Sequence, residues 1–481
     1  MISSVIRGYC RAAFGEFEQG ELQKFLLLGL MLGLIGGISG ILRVMKDAFV
    51  PDIIGASFLS HARILSFFMV FPLIMAYSKL VDRFPRHVLF YVVSSLYGFG
   101  ALVFTWYMLD PVMGLANFKA DPSRLLGWAW YVFVESFDIV LLALFWAFAV
   151  DTTTPDSAKR GFPLVVLMGL IAKMFWPVWV SSIPKHLEVS NAYMVLVTGL
   201  LLLLLIPLVM LFQAKIAPEQ MVGYREREQK NENAKTGWME GFALLLKQPY
   251  LLGILGMGMF YVVSMSVFDY YFREMVSATL FDPFERIKYF GQYALYSQLA
   301  IFLLILGGSS AIPRKLGVTT SLLLLPLWMG IVVLIGKFYP NLDLLFWGLV
   351  VAKGLAVAIE LPVRKLLYIP TTRDVRFKSQ AWIIGLSSQG SSVAGSALKD
   401  FHKELLLKNG PEWGTQTEAG EVVVNRMFAR NHMFGELDKG SAIHIALMSY
   451  LFFGCVALWI VIALYVGRTY QKTVEEHKVL G

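Results

Sequence analysis

Apolar stretches long enough to cross a lipid bilayer recur throughout this 481-residue chain. A membrane-spanning helix needs roughly 20 predominantly apolar residues, and about twelve such stretches occur here. The ten-residue alternating segments of a membrane β-barrel do not occur. Because backbone polar groups cannot stay unpaired in lipid, we predict an all-α membrane protein. The predicted spans lie near 24 to 48, 58 to 78, 88 to 109, 127 to 149, 161 to 183, 192 to 213, 249 to 272, 289 to 311, 317 to 337, 343 to 364, 378 to 397 and 442 to 466.

A polar segment divides these spans into two sets of six. It runs from Lys215 to Lys235 and is too charged to cross a membrane. Six spans on each side are typical of two parallel repeats, with a substrate site between the halves near the bilayer midplane. We therefore predict two six-helix bundles in a major-facilitator-like fold. The predicted domains are an N-terminal bundle at 1–213, a cytoplasmic connecting segment at 214–248, and a C-terminal bundle at 249–481 with an external loop at 398–441.

Lysine and arginine gather in alternate short connections, which sets the predicted orientation. Short cytoplasmic loops are enriched in these residues, so we predict that both termini are cytoplasmic in a multi-pass protein of the cell inner membrane. Because these loops hold much of the excess positive charge behind the net +8, we predict no nucleic-acid polymer as partner. The cation-rich connections contain Lys79, Arg83 and Arg86, then Lys159 and Arg160, then Arg314 and Lys315, and finally Arg364, Lys365, Arg373, Arg376 and Lys378.

The chain carries no signature of cofactor, metal or catalytic chemistry. Its two cysteines, Cys10 and Cys455, are far apart, and its seven histidines show no metal-ligand spacing. No GxxxxGK[ST] phosphate loop is present. The serine-rich run from Ser387 to Ser392 has no histidine base beside it. We predict neither enzymatic activity nor a cofactor or metal.

Several charged residues fall inside or at the ends of the predicted spans. A cation near the centre of a bilayer costs roughly 2.5 to 3.5 kcal/mol, so such residues usually face a polar path. We predict that Lys46 and Arg364 bind phosphate or act as gate partners, because cations in such a path can bind phosphate. Asp151 and Asp269 are their predicted counter-charges. The full set of predicted binding or gating residues is Lys46, Asp151, Asp269, Arg364, Arg43 and Arg273.

Five deeper charges form a secondary set of candidates. Lys173 and Lys353 are predicted either to bind phosphate at the midplane or to pair with nearby carboxylates. Glu135 and Asp138 share one helical face, and two carboxylates close together in a low dielectric can make one of them a proton carrier. Their alternative role is an ion pair with Lys173 or Lys353. The secondary set is Lys173, Lys353, Glu135, Asp138 and Glu360.

Short motifs occur in collinear order over most of the chain up to about Leu398. They are Glu21-Leu22-Gln23-Lys24-Phe25, Ile41-Leu42-Arg43-Val44-Met45-Lys46-Asp47, Tyr77-Ser78-Lys79-Leu80, Phe145-Trp146-Ala147-Phe148-Ala149-Val150-Asp151, Ala158-Lys159-Arg160-Gly161-Phe162-Pro163-Leu164, Arg364-Lys365-Leu366-Leu367-Tyr368-Ile369-Pro370 and Arg376-Phe377-Lys378-Ser379-Gln380-Ala381. Together they resemble the ATP/ADP translocase family, the nucleotide transporters of obligate intracellular bacteria and plastids.

The resemblance implies roles for four charged positions. In that family a Lys, two Glu and a second Lys in membrane helices are implicated in nucleotide transport. They fall on Lys46, Asp151, Asp269 and Arg364, so the sign of the charge is retained at each position. The resemblance thereby implies an anionic substrate, while the differing side chains leave open whether transport is strict ATP/ADP exchange.

We predict an alternating-access transporter of nucleotides in the lipid bilayer, most simply an ATP/ADP-type exchanger whose substrate is ATP, ADP or a related phosphorylated anion. Two alternatives remain open. One is a proton-coupled symporter of nucleotides or other phosphorylated or organic anions that uses Glu135 or Asp138. The other is a non-transporting membrane receptor or scaffold that binds through its 399 to 439 loop.

Overall fold

A computed structural model gives the structure of the chain. It describes residues 15–216 and 240–390, except for 19, 56–57, 118, 188–189, 280–282, 339–341 and 373. It also describes two strands between 414 and 424 and residues 439–480, except for 477.

Helices form most of the described chain. In order they are α1 (Glu21–Ile54), α2 (Leu59–Arg83), α3 (Arg86–Leu109), α4 (Leu125–Asp151), α5 (Pro155–Leu187), α6 (Ala192–Leu203), α7 (Leu205–Lys215), α8 (Glu240–Lys247), α9 (Pro249–Thr279), α10 (Pro283–Leu306), α11 (Ala311–Lys315), α12 (Gly317–Phe338), α13 (Leu342–Leu355), α14 (Leu361–Leu366), α15 (Gln380–Gly385) and α16 (Lys439–Glu475). Three π-helical turns occupy Ala356–Glu360, Val375–Ser379 and Leu386–Gly390.

Ten helical stretches in the described part of the chain are long and apolar enough to cross a membrane. The prediction of an all-α multi-pass membrane protein is therefore confirmed. The predicted fifth span, 161 to 183, lies inside α5, and the predicted sixth is divided between α6 and α7. The predicted eleventh, 378 to 397, begins in a π-helical turn and α15, and its residues from 391 lie outside the described ranges.

The predicted external loop, 398–441, contains a small element that the sequence did not suggest. Two short antiparallel strands, β1 (Gly414–Gln416) and β2 (Val422–Val424), pair Thr415 with Val423. The rest of the loop up to residue 438 lies outside the described ranges.

The chain forms two compact units. Unit 1 contains Met1–Leu252, Arg364–Gly385 and Lys472–Gly481, and unit 2 contains Gly253–Val363 and Leu386–Gln471. The predicted division into bundles at 1–213 and 249–481 stays a prediction.

Helix α1 is the central element of unit 1. Every residue from Met31 to Leu42 is buried, as expected for a helix that is apolar on all sides. Its glycines allow α5 to pack closely, because a Cβ added to Gly36 would lie 3.0 Å from the carbonyl oxygen of Gly169. This packing holds the two helices in a fixed register, with the polar residues of α1 beyond Leu42 directed toward other neighbours.

The segment 364–385 is fixed within unit 1 by several hydrogen bonds to backbone carbonyl oxygens. The Tyr250 hydroxyl donates to the carbonyl oxygen of Leu367 at 2.8 Å. Near the end of the chain, Leu480 donates to Pro370 and accepts from Thr372, at 2.9 Å in each case. The Ser379 hydroxyl donates to the carbonyl oxygen of Gly241 at 2.9 Å. The segment therefore has little freedom to shift without breaking several buried bonds.

An aromatic cluster forms part of the core of unit 2. Phe346 of α13 packs against Tyr289, Tyr293 and Tyr296 of α10, with ring centroids 5.1 to 6.0 Å apart. Phe272 of α9 joins the same cluster, 4.6 Å from the Tyr293 ring. The cluster thereby packs α9, α10 and α13 together.

Candidate functional site

Helices α1 and α4 carry a cluster of two ion pairs. The Lys46 ammonium lies 2.6 Å from Glu135, and the Arg43 guanidinium lies 2.5 Å from Asp138. The later cation on α1 pairs with the earlier carboxylate on α4, as antiparallel helices require. We call these four residues the α1–α4 cluster.

The α1–α4 cluster lies halfway along a membrane-spanning helix. Asp138 is the central residue of the 27-residue helix α4, about 20 Å along the axis from Asp151. Burying an ion costs several kcal/mol, which a partner offsets only when the geometry is good. The close pairing of two cations with two carboxylates meets that condition and leaves the cluster formally neutral.

The two cations of the α1–α4 cluster differ in accessibility. The Lys46 side chain is 12% exposed and also lies 4.8 Å from the centroid of the Tyr131 ring, whereas the Arg43 side chain is 53% exposed. Lys173 of α5 lies within electrostatic range of Arg43 and Asp138. Arg43 is therefore the cluster cation that an anion from solution reaches most easily.

A second group of charges lies at the C-terminal end of α4. Asp151 accepts hydrogen bonds from Arg86, at the start of α3, and from Arg376, whose Nη2 atom is 2.9 Å away. Arg376 also donates to the carbonyl oxygens of Thr371 and Ile369. We call Asp151, Arg86 and Arg376 the Asp151 network.

The same end of unit 1 holds a second fully buried cation. The side chain of Lys378 is 0% exposed, and its ammonium lies 2.5 Å from Asp82 and 3.4 Å from Asp374. Because Arg376 and Lys378 both belong to the π-helical turn Val375–Ser379, ion pairs connect this turn to α2 and α4. Asp151 also pairs with Arg86 of α3. Polar groups that are buried and satisfied in this way strongly favour one arrangement of the chain.

Unit 2 carries a looser group of charges. Lys353 lies 3.9 Å from Asp269, and its ammonium is 4.3 Å from the centroid of the Tyr293 ring. The Tyr293 hydroxyl donates to Asp269 at 3.4 Å. Glu360 is buried in the π-helical turn that follows α13. Because its charged atoms lie 3.9 Å apart, against 2.5 and 2.6 Å in the α1–α4 cluster, this pair is weaker than those of the cluster.

The structure distributes the predicted site residues over several places. Arg43, Lys46, Glu135 and Asp138 come together in unit 1, and the carboxylates pair with α1 cations where the sequence had suggested Lys173 or Lys353. Arg364 lies in α14, partly exposed. The remaining predicted residues are Asp151 in its network, Lys173 beside Arg43, Asp269 with Lys353 in unit 2, Glu360 in its π-helical turn, and Arg273, which belongs to α9 and whose side chain is outside the described ranges. Their functional roles stay predictions.

Sequence reasoning missed the structural role of three cations. The sequence predicts only that Arg86, Arg376 and Lys378 lie in loops that set the orientation, yet each forms an ion pair at the end of unit 1. A signal was present, because Arg376 and Lys378 occur in a motif that alternates with apolar residues at the edge of a predicted span. Over the described residues, no three His, Cys, Asp or Glu side chains come together as a metal site.

Two solved structures of similar fold come from a membrane transporter and from a homologue of one. A major facilitator superfamily transporter, FucP, in the outward conformation matches 92% of this chain and 99% of its own, with a TM-score of 0.58 and 10% identity. A bacterial homologue of the iron transporter ferroportin in the outward-facing state matches 93% and 99%, with a TM-score of 0.60 and 12% identity. The major-facilitator-like fold predicted from the sequence is therefore confirmed.

Relatives at the level of sequence narrow this class further. The family model for the TLC ATP/ADP transporter matches residues 5–361, so the chain belongs to that transporter family, which is not a family of enzymes. ADP,ATP carrier protein 1, chloroplastic, of Arabidopsis thaliana is 24% identical over 90% of this chain and 79% of its own length. ADP,ATP carrier protein 1 of Rickettsia prowazekii (strain Madrid E) is 23% identical over 97% of both chains. The family resemblance seen in the sequence motifs is confirmed.

Proposed function

We propose that this protein exchanges nucleotides across a membrane by alternating access, and that the α1–α4 cluster binds their phosphates. Its substrate is ATP, ADP or a related phosphorylated anion, as the names of its relatives suggest. We place it in the cell inner membrane with both termini in the cytoplasm, because cation-rich connections alternate along the chain.

The α1–α4 cluster is the observation that carries this proposal. Lysine and arginine pair with carboxylates at mid-helix, and Arg43 remains half exposed. Phosphate is a stronger acceptor than most protein groups and binds arginine through two parallel hydrogen bonds. A nucleotide that reaches Arg43 can therefore replace Asp138 as its partner and then compete with Glu135 for Lys46.

Replacement of a carboxylate by a phosphate lets the site bind an anion without leaving a buried cation unpaired. A buried cation is expensive when it has no partner, and here it has one in both states: a carboxylate in the empty carrier and a phosphate in the loaded one. The returning nucleotide supplies the same compensation on the other side of the membrane. The charge of the site therefore stays compensated throughout a cycle of exchange.

The Asp151 network is the proposed gate. It joins the π-helical turn Val375–Ser379 to α3 and α4 through Arg376 and Arg86. Lys378 reinforces it through Asp82. Access from this end of unit 1 requires these pairs to separate, and their re-formation closes the path again.

Proton-coupled symport is the second candidate, and the same cluster favours it. When a phosphate pairs with Lys46, Glu135 loses its partner while its side chain is only 20% exposed. A proton that travels with the nucleotide would compensate this unpaired charge. Uptake would then bring a proton with each nucleotide and would not need a nucleotide on the other side.

Transport by purified protein in liposomes separates the two candidates. Labelled ATP is supplied outside vesicles that contain ADP, AMP or buffer alone, with and without a protonophore. Exchange predicts uptake that depends on internal ADP and is insensitive to the protonophore. Uptake that ignores internal nucleotide and collapses with the protonophore would replace exchange with symport, and absence of both uptake and nucleotide binding would favour the receptor or scaffold.

A further inference from the structure

Lys365 is a buried lysine that the proposed site does not use. It lies in α14, directly after Arg364 and five residues after the π-helical turn Ala356–Glu360. Only 8% of the residue is accessible, whereas Arg364 is partly exposed. Interruptions of α-helices by π-helical turns often occur at functional sites, and here the interruption precedes two adjacent cations.

The surroundings of Lys365 do not neutralise its charge. Its ammonium lies 5.3 Å from the centroid of the Trp146 ring of α4. Among the residues that the structure describes, no carboxylate pairs with it, and the charge that acts on it is the cation Arg364. The face of an indole ring attracts a cation, but far less than burial penalises one.

The position of Lys365 is nevertheless well fixed. Trp146 packs edge-on against Phe162, with ring centroids 5.4 Å apart. The chain just beyond Lys365 is anchored by the hydrogen bond from Tyr250 to Leu367. A lysine held in place without a counter-charge is pre-organised for an anion that arrives from outside the protein.

We propose that the Lys365 ammonium binds a phosphoryl group of the transported nucleotide, as the second cation of a site that it forms with Arg364. This inference rests on the proposed function and names a further residue for it. Arg364 offers a planar fork and Lys365 a point charge, a combination suited to two oxygens of one phosphate or to neighbouring phosphates of a chain. The anion also supplies the compensation that Lys365 lacks in the empty protein.

The variant Lys365→Met tests the proposal, because its melting temperature should rise while its affinity for ATP should fall. Methionine keeps the length and apolar packing of the side chain on Trp146 but removes the charge. We expect the ligand-free variant to melt at a higher temperature than the wild type, because an uncompensated buried charge is gone. Its affinity should fall about 10- to 100-fold for ATP, less for AMP and not at all for adenosine.

The measurement uses the full-length protein in nanodiscs of zwitterionic lipid, titrated with adenosine, AMP, ADP, ATP and inorganic phosphate. Melting in nanodiscs that contain anionic phospholipid is measured in parallel. Lys365→Arg keeps the charge and should retain affinity for the phosphorylated ligands. Lys472→Met is the matched control, because that lysine is 75% exposed and lies 3.9 Å from Glu476 at the end of α16. It should bind every ligand as the wild type does.

Three results would overturn the proposal. The first is unchanged affinity of Lys365→Met for ATP while Lys46→Gln loses it, which leaves the proposed function standing. The second is a lower melting temperature of ligand-free Lys365→Met, which reveals a carboxylate partner. The third is Lys365-dependent stabilisation by anionic phospholipid without any by nucleotide, which assigns the site to a lipid headgroup. If the wild type binds no nucleotide, the proposed function itself fails.

Discussion

The α1–α4 cluster and the Asp151 network are both built from arginine, lysine and carboxylates on α4, yet they differ in how their cations are held. Arg43 is half exposed and meets one carboxylate, so an incoming anion can replace its partner. Arg376 is 6% exposed and is held by Asp151 together with two backbone carbonyls. In the first arrangement an anion can replace Asp138 as the partner of Arg43. In the second, the bonds of Arg376 to Asp151 and to the two carbonyls form or break together.

From this difference we propose that the middle of α4 binds the substrate and that its C-terminal end forms the gate. A binding site has to release its ligand, so its cations need a competing partner within the protein. A gate has to stay closed without a ligand, so its cations need several bonds that form together. The two sites lie about 20 Å apart along one helix, which lets a rigid α4 couple them.

The largest expected effect is on Lys46. We expect Lys46→Gln to reduce nucleotide exchange about 10- to 100-fold, as loss of a charged hydrogen bond worth about 1.5 to 3 kcal/mol implies. The same change leaves Glu135 without its 2.6 Å partner and should lower the free energy of unfolding by about 3 to 5 kcal/mol. Exchange in liposomes and thermal denaturation measure the two effects.

A double variant separates these two roles of Lys46. Lys46→Gln/Glu135→Gln removes both charges, so stability should return close to that of the wild type while exchange stays lost. If exchange returns together with stability, Lys46 has only a structural role and the contrast between the two sites disappears. Lys46→Arg, which keeps the charge, is the control that should retain measurable exchange.

The second effect concerns the gate. We expect Asp151→Asn to lower the rate of exchange about tenfold or more, because Arg376 and Arg86 lose their charged acceptor, while the Kd for nucleotide changes less than about threefold. Binding titrations and transport assays on the same preparation measure this separation. A parallel loss of affinity would place Asp151 in the binding site and contradict the proposed gate.

The third effect concerns Arg43, whose side chain is the more exposed of the two cluster cations. Arg43→Gln leaves Asp138, whose side chain is 12% exposed, without its partner, so stability should fall by about 3 kcal/mol or more, as in Lys46→Gln. Affinity for ATP should fall about tenfold, since the more exposed cation of the cluster no longer contacts the phosphate. Unchanged affinity for ATP would mean that exposure of the Arg43 side chain does not give the ligand access to it.

The sequence predicts the positions of the helices well, but it predicts which residues are charged sites better than which residues pair with them. Long apolar stretches predict spans because length and hydropathy are local properties, and the boundaries of α1 and α4 follow from them. Partners were harder to predict, because Lys46 and Glu135 are 89 positions apart and meet only through the register of two packed helices. For the same reason Arg376 and Lys378 looked like loop cations until the structure placed Asp151 and Asp82 beside them.

The smallest effect is expected for the Lys353–Asp269 pair of unit 2, which serves as the weak pair against which the α1–α4 cluster is compared. Lys353 and Asp269 lie 3.9 Å apart, with side chains 30% and 38% exposed, so Lys353→Gln should cost less than about 1 kcal/mol and change exchange less than about threefold. Transport and melting curves measured beside Lys46→Gln provide the test, with Lys353→Arg as the charge-retaining control. Suppose instead that Lys353→Gln abolishes exchange at unchanged stability. A weak, partly exposed pair would then bind substrate as effectively as the α1–α4 cluster, and accessibility to the ligand would determine the binding site more than tight internal pairing.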